Sequence, residues 1–331
     1  MVPEDPQQRA ARLAEVMEML RREAPAEDQE LVQSFAPLVF ESMPPPIALE
    51  LPPSAVATRL LSHFRFVVRE MPPSHQLYRG LPGIHVAVWN PGDERARSIG
   101  GGSGLPLDTT IVQTHTPDRP FIFDSLKNYF QRSGVRVYSA IHPMFTVRRQ
   151  WERIVSFGGL NEEGSRESYT FFQLEALESK DRRRRMEHEV FSLLKAVFLA
   201  VDDFADMRRT CRDLVAQLRS PRGDDGQLAS ARAFVDWLFD DNYIFMGTVS
   251  YRVGPDGRFQ RVDETAKGAF ADPTLLPIVF PGVAEHIETH LRPRADDDRI
   301  VDLDFSTGAG AIYHLDPIED LALREWDEEG R

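Results

Sequence analysis

Apolar residues recur at helical spacing along the first part of the chain. Ala10, Leu13, Val16, Met17 and Leu20 predict one helix after Pro6, and Leu31, Phe35, Leu38 and Val39 predict a second that breaks at Pro44-Pro45-Pro46. Pro52-Pro53-Ser54 opens a third helix, in which Val56, Leu60, Leu61, Phe64, Val67 and Val68 form a face broad enough to be half-buried.

From residue 84 the period changes to two. Short β-rich runs follow at Ile84 to Trp89, Thr109 to His115, Val135 to His142, Met144 to Arg149 and Tyr169 to Leu174. Between the second and third, Phe121 to Arg132 has a helical face stopped by Gly134, and after the last, Met186, Val190, Leu193, Leu194, Val197 and Phe198 mark a longer helix. This order predicts an α+β fold with a mostly antiparallel sheet and helices on one face, rather than a doubly wound parallel sheet. Asp202 to Leu218 reads as helical, and the Pro/Gly/Asp stretch at 221–226 is the best linker. The expected organisation is 1–53 as opening helices, 54–220 as the first α+β domain, and 227–331 as a smaller α+β domain. That second domain has a short helix near Trp237, a strand Tyr243 to Val253, the turn Gly254-Pro255-Asp256-Gly257, and strands near Ile300 to Phe305, Ala311 to His314 and Leu321 to Trp326. The last strand meets a hairpin-like turn with no return strand, so a piece of a longer polypeptide is expected.

The 331 residues are 42% hydrophobic and 27% charged, a globular composition. The net charge of −13 argues against nucleic acid or an anionic membrane as partner. A single cysteine, Cys211, excludes an intrachain disulfide and multi-cysteine metal sites, which suits a cytoplasmic setting. No apolar run reaches the ~18 residues of a membrane-spanning helix.

Chemistry-bearing motifs are sparse. Gly100-Gly101-Gly102-Ser103-Gly104 has no Lys-Ser/Thr pair behind it, and Gly308-Ala309-Gly310 meets Tyr313 where a dinucleotide fingerprint needs a third glycine. His286 and His290 share a helical face, which would allow a metal-dependent hydrolase, but Ile287 stands where the general base belongs. Cys211 lies among Arg208, Arg209 and Arg212, which would lower its pKa if they faced it. Arg182-Arg183-Arg184-Arg185 opens the long helix at its positive end, so acidic groups such as Glu187 and Glu189, or a neighbouring subunit, should offset it. Thr116 to Ser125 joins a strand to a helix start, where free N–H groups and Arg119 could hold a carboxylate. Plain capping by Asp118 is the compatible, simpler role.

The run Asp118-Arg119-Pro120-Phe121-Ile122-Phe123-Asp124-Ser125, followed by Gly134 and Ile141-His142-Pro143, resembles the N-terminal regulatory region of the large NAD-specific glutamate dehydrogenases. Ala233 to Gly247, with Trp237-Leu238 and Phe245-Met246-Gly247, is similar to a second segment of that family, and His314 to Asp327 to a third. The resemblance implies an ACT-like (ferredoxin-like) domain at 54–220 and a PAS-like domain at 227–331. It implies a non-catalytic regulatory and oligomerisation fragment, with Asp118, Arg119, Phe121 and Asp124 as effector-binding candidates and no catalytic or metal residue. NAD would belong to the parent enzyme and no cofactor to this chain. Its partners would be the rest of that polypeptide, further copies of itself and an amino-acid effector. A stand-alone hydrolase using His286 and His290, or a purely structural domain, are the alternatives.

Overall fold

The computed structural model describes residues 5–68, 77–78, 81–94, 96, 104–151, 153–217, 225–242, 244–255, 259–279, 301–309 and 317–323. Three helices open the chain: α1 Pro6–Glu23, α2 Gln29–Phe40 and α3 Pro53–Val68. Asp5 caps α1 by accepting from the Gln7 N–H at 2.9 Å, with Pro6 at the first helical position where no N–H is needed. Arg9 reaches from α1 to the far end of α2, donating to the carbonyls of Phe40 and Met43 at 2.6 and 2.9 Å. The Phe40 carbonyl also accepts from the Met43 N–H at 3.0 Å in the turn that ends α2, and the guanidinium ties the two helices together there.

The sheet is built from β1 His85–Trp89, β2 Thr109–Pro117, β3 Val137–Ile141, β4 Met144–Gln150, β5 Arg153–Gly158 and β6 Ser165–Glu175. Every pairing is antiparallel, in the order β1-β2-β6-β4-β5, with β3 also paired to β6. β3 and β4 pair with successive halves of β6, so they form one strand bent at His142-Pro143, free along β3 and covered by β5 along β4. Helix α4, Ile122–Arg132, connects β2 to β3 on the far side of β6, a split β-α-β unit, and α5, Lys180–Asp202, follows β6. In the ferredoxin-like order the strand flanking β2 would come after the second helix. Here β1, from before β2, occupies that place.

The expectation of helices on one face needs correction. Strands β2 and β6 are buried at alternate and intervening positions alike, which only two covered faces permit. Trp89, Ile111, Phe145, Tyr169 and Phe171 share one core with α1, α2 and α3. In it, Phe35 meets the rings of Phe64, Phe145 and Phe157 at 5.7, 5.7 and 4.9 Å. On the opposite face Phe130 of α4 meets Phe172 at 4.9 Å. Glu187 of α5 accepts from the Val88 N–H at 3.0 Å, and Glu189 accepts from the Tyr129 hydroxyl at 2.5 Å.

By contact density the chain forms two units, Met1–Arg119 with Tyr129–Phe191, and Pro120–Asn128 with Ser192–Arg331. The second contains α6 Phe204–Gln217, α7 Asp225–Trp237, the hairpin of β7 Gly247–Val253 and β8 Phe259–Gly268, and the pair β9 Val301–Ala309 and β10 Pro317–Leu323. Met207 and Cys211 of α6 pack with Val235, Leu238 and Phe239. The strand expected over 243–253 begins only at Gly247, because the helix runs on through Leu238–Asn242 in a wider turn. Residues 221–224 of the expected linker, the glycines at 100–103 and the strand expected at 311–314 lie outside the described residues, and Asp225 and Gly226 belong to α7.

Candidate functional site

Strand β2 ends where the sequence places its strand-to-helix turn. The Asp118 N–H donates to the Arg166 carbonyl at 2.9 Å, extending the β2–β6 ladder by one bond, and Arg119 folds back to donate to the Asp118 carbonyl at 2.9 Å. The first helical bond of α4 runs from the Ser125 N–H to the Phe121 carbonyl at 2.9 Å. The cap position therefore falls on Phe121, not on Asp118, which stands three residues earlier. Phe121 has φ of 73°, in the left-handed region that a side chain with a Cβ rarely adopts. Such strain persists only where the surroundings impose it, and it is enriched at functional turns. Asp124 is exposed in the first turn of α4.

At the end of β2 lies a charged cluster that sequence reading missed. Glu167 of β6 is 6% exposed and accepts from both terminal nitrogens of Arg149, at 3.0 Å through Nη2, while His115 Nε2 lies 2.6 Å from its Oε2. The Ser165 hydroxyl donates to the other oxygen at 3.3 Å. Burial by itself would raise the carboxyl pKa, but the hydrogen bonds from His115 and Arg149 outweigh it and hold Glu167 at about 2. A carboxylate this saturated is a poor base. It fixes β2, β4 and β6 where the turn departs. The one available signal was parity: His115 and Glu167 fall on the same face of neighbouring strands as the core aromatics, where an unpaired charge could not be buried. The His142 ring contacts the Ser168 hydroxyl at 2.7 Å, so the His-Pro step at the bend is tied to β6.

Other sequence candidates resolve plainly. Within the arginine run, the partner of Arg183 is Asp93. Arg183, 5% exposed, forks onto Asp93 at 3.0 Å and onto the carbonyls of Leu177 and Glu178. Cys211 is buried and its thiol is pushed up to about 11, the reverse of what facing arginines would do. Arg212 instead stacks over the Phe239 ring at 4.7 Å. His286 and His290 lie outside the described residues, and among those described no group of three or more His, Cys, Asp and Glu could hold a metal. No described helix is long and apolar enough to cross a membrane.

Residues 35–190 match the ACT1 domain model of glutamate dehydrogenase, an interval that begins at Phe35 in the aromatic core and ends in α5. Beyond that interval the chain is similar to proteins named NAD-specific glutamate dehydrogenase. The NAD-specific glutamate dehydrogenase of Pseudomonas aeruginosa is 22% identical over 255 residues, covering 74% of this chain and 15% of that protein. The Halomonas elongata protein of the same name is 24% identical over 233 residues, covering 67% of this chain and 14% of its own length. The chain thus spans about one seventh of the curated relatives it matches. Within the ACT1 interval lie the whole β1–β6 sheet, the strained turn and the Glu167 cluster.

Proposed function

We propose that this chain is a non-catalytic regulatory and assembly segment of a large cytoplasmic NAD-dependent glutamate dehydrogenase, whose reaction is the oxidative deamination of L-glutamate to 2-oxoglutarate. The observation that carries this reading is the ACT1 match over the antiparallel sheet and its covering helices. In this reading NAD and glutamate are bound by other parts of the longer polypeptide. Residues 227–331 act as a PAS-like companion, an assignment supported by the Trp237 to Gly247 segment. The outer edge of β3 offers backbone groups for pairing with a second copy.

Asp118, Arg119, Phe121 and Asp124 are the proposed effector contacts. A carboxylate suits a helix start, where the positive end of the dipole lies. The left-handed Phe121 supports the assignment, since it is the kind of strain a binding turn maintains. Calorimetric titration of the purified chain with the common amino acids is the direct test. Arg119→Ala is expected to weaken effector binding or self-association by about 1–3 kcal/mol, the loss of a charge-assisted hydrogen bond, while leaving the fold intact. Glutamate-dependent NAD reduction by this chain alone would refute the non-catalytic reading. Unchanged binding and association in the Arg119 variant would remove the turn from it.

A further inference from the structure

Two surface patches of opposite charge stand on the two sides of the sheet in the first unit. The basic one lies where α4 ends and α5 begins. Arg132 closes α4 and Arg136 follows it, and the Glu175 N–H donates to the Arg136 carbonyl at 2.9 Å, which sets this turn at the end of β6 from which the chain enters α5. Arg182 and Arg185 lie in the first turns of α5, and Arg182 is close enough for its charge to act on the Tyr129 hydroxyl of α4. All four arginines are exposed, and among the described residues no carboxylate pairs with any of them. Cations at the positive end of a helix are unfavourable without a counter-charge, and Asp93 supplies one from within only to Arg183.

The acidic patch lies between α1 and α2, where Glu23, Glu27, Asp28 and Glu30 fall within eight residues. The three glutamates are exposed, and Asp28, at the start of α2, makes no side-chain cap. The neighbouring cations are already engaged, since Glu18 holds Arg21 at 2.5 Å and Arg22 at 2.8 Å. Helices α1 and α2 share the core on one face of the sheet, whereas α4 packs on the other. The two patches of one copy therefore cannot neutralise each other.

We propose that the arginine patch of one copy docks on the acidic patch of a second copy in a head-to-tail contact. Each guanidinium can fork onto a carboxylate, and the acidic patch offers as many carboxylates as the basic patch has arginines. A chain of net charge −13 repels its own kind in most orientations, so the approach that sets these two patches together is favoured over the rest. Such a contact joins unlike surfaces and leaves one patch of each sign free on the pair, so growth does not stop at two copies. The inference rests on the assembly reading for its partner, a second copy, but pairing along β3 joins like surfaces and ends at a dimer.

The test is sedimentation of the full chain at about 0.01 M and about 1 M salt, between which the screening length falls from about 30 Å to about 3 Å. At low salt the mass should rise past the dimer with concentration, and high salt should reverse that growth. Arg182→Glu with Arg185→Glu, and separately Glu27→Lys with Glu30→Lys, should each weaken low-salt association about tenfold or more. Thermal stability should stay nearly unchanged, because all four positions are exposed. Mixed in equal amounts, the two variants should associate again, since each carries the charge the other has lost, a recovery that misfolded chains would not show. Variants that associate like the parent, or a mixture that stays dissociated, would overturn the head-to-tail contact. A salt-indifferent dimer that grows no further would overturn it too while leaving the β3 pairing intact. A chain that stays monomeric at low salt and tens of micromolar would overturn both.

Discussion

At the scale of single residues, a line of buried hydrogen bonds runs from the sheet to α3. Trp89 Nε1–H donates to Gln113 at 2.9 Å, Gln113 Nε2–H to the Tyr169 hydroxyl at 2.8 Å, and that hydroxyl to His63 Nδ1 at 2.7 Å. His63 ends this one-way chain as an acceptor. Burial drives its pKa down to about 3, with the Arg59 charge adding to the effect. A base whose folded pKa is depressed loses stability as pH falls from its unfolded value of 6.5 toward 3, because only the unfolded chain takes up the proton. Glu167, held at about 2 against 4.5, loses its contribution between those values, so both groups make acid destabilising. Urea midpoints should fall from pH 7 to pH 4, and His63→Gln should flatten the part between about 6.5 and 5, where Glu167 is silent. An unaltered slope there would exclude His63 as the source. Glu167→Gln leaves Arg149 and His115 with a weaker acceptor and should cost about 3 kcal/mol, measured by the same midpoints.

At the scale of elements, the start of α5 shows how a helix tolerates four arginines at its positive end. One of them, Arg183, is taken inward and neutralised by Asp93 and two carbonyls, while Arg184 stays exposed beside Asp181. Asp93→Ala would strand a buried guanidinium and should lower stability by about 3–5 kcal/mol, whereas adding Arg183→Met to it should restore much of the loss. A double variant no more stable than the single one would count against that account. The β4–β5 hairpin shows a second local cost. Trp151 at its tip has φ of 62° and is 94% exposed, so its indole gains nothing to offset a left-handed backbone. Trp151→Gly is expected to hold or raise the melting temperature, by up to about 1 kcal/mol of stability, and a clear loss would mean the indole is covered in solution.

At the scale of the whole molecule, the opening helices and the sheet are energetically one body within the first unit, since Phe35 and Phe64 sit in the same core as Phe145 and Phe157. A chain starting at residue 54 would uncover the Phe35 side of that core. It should bind hydrophobic dyes, aggregate and melt well below the parent, and a soluble chain with an unchanged melting temperature would show the helices to be dispensable. Local pattern locates these helices, five of the six strands of the sheet and the helix after the Asp118 turn, because periodicity and Pro/Gly punctuation are short-range properties. The β5 strand at Arg153–Gly158 escaped notice because Arg153, Val155 and the core-facing Phe157 break a simple alternation of apolar and polar positions. What the sequence determined by itself was the α+β class, the resemblance carried by the Asp118 to Ser125 run, and the position of the turn. Tertiary structure alone decided which face α1–α3 would cover, that β1 from upstream would flank β2, that Asp93 would neutralise Arg183, and that Glu167 would meet His115 and Arg149. The reason is physical: those partners are separated by 18 to 90 residues, and a contact at that range is set by how strands register and layers stack, not by anything a neighbouring residue can encode.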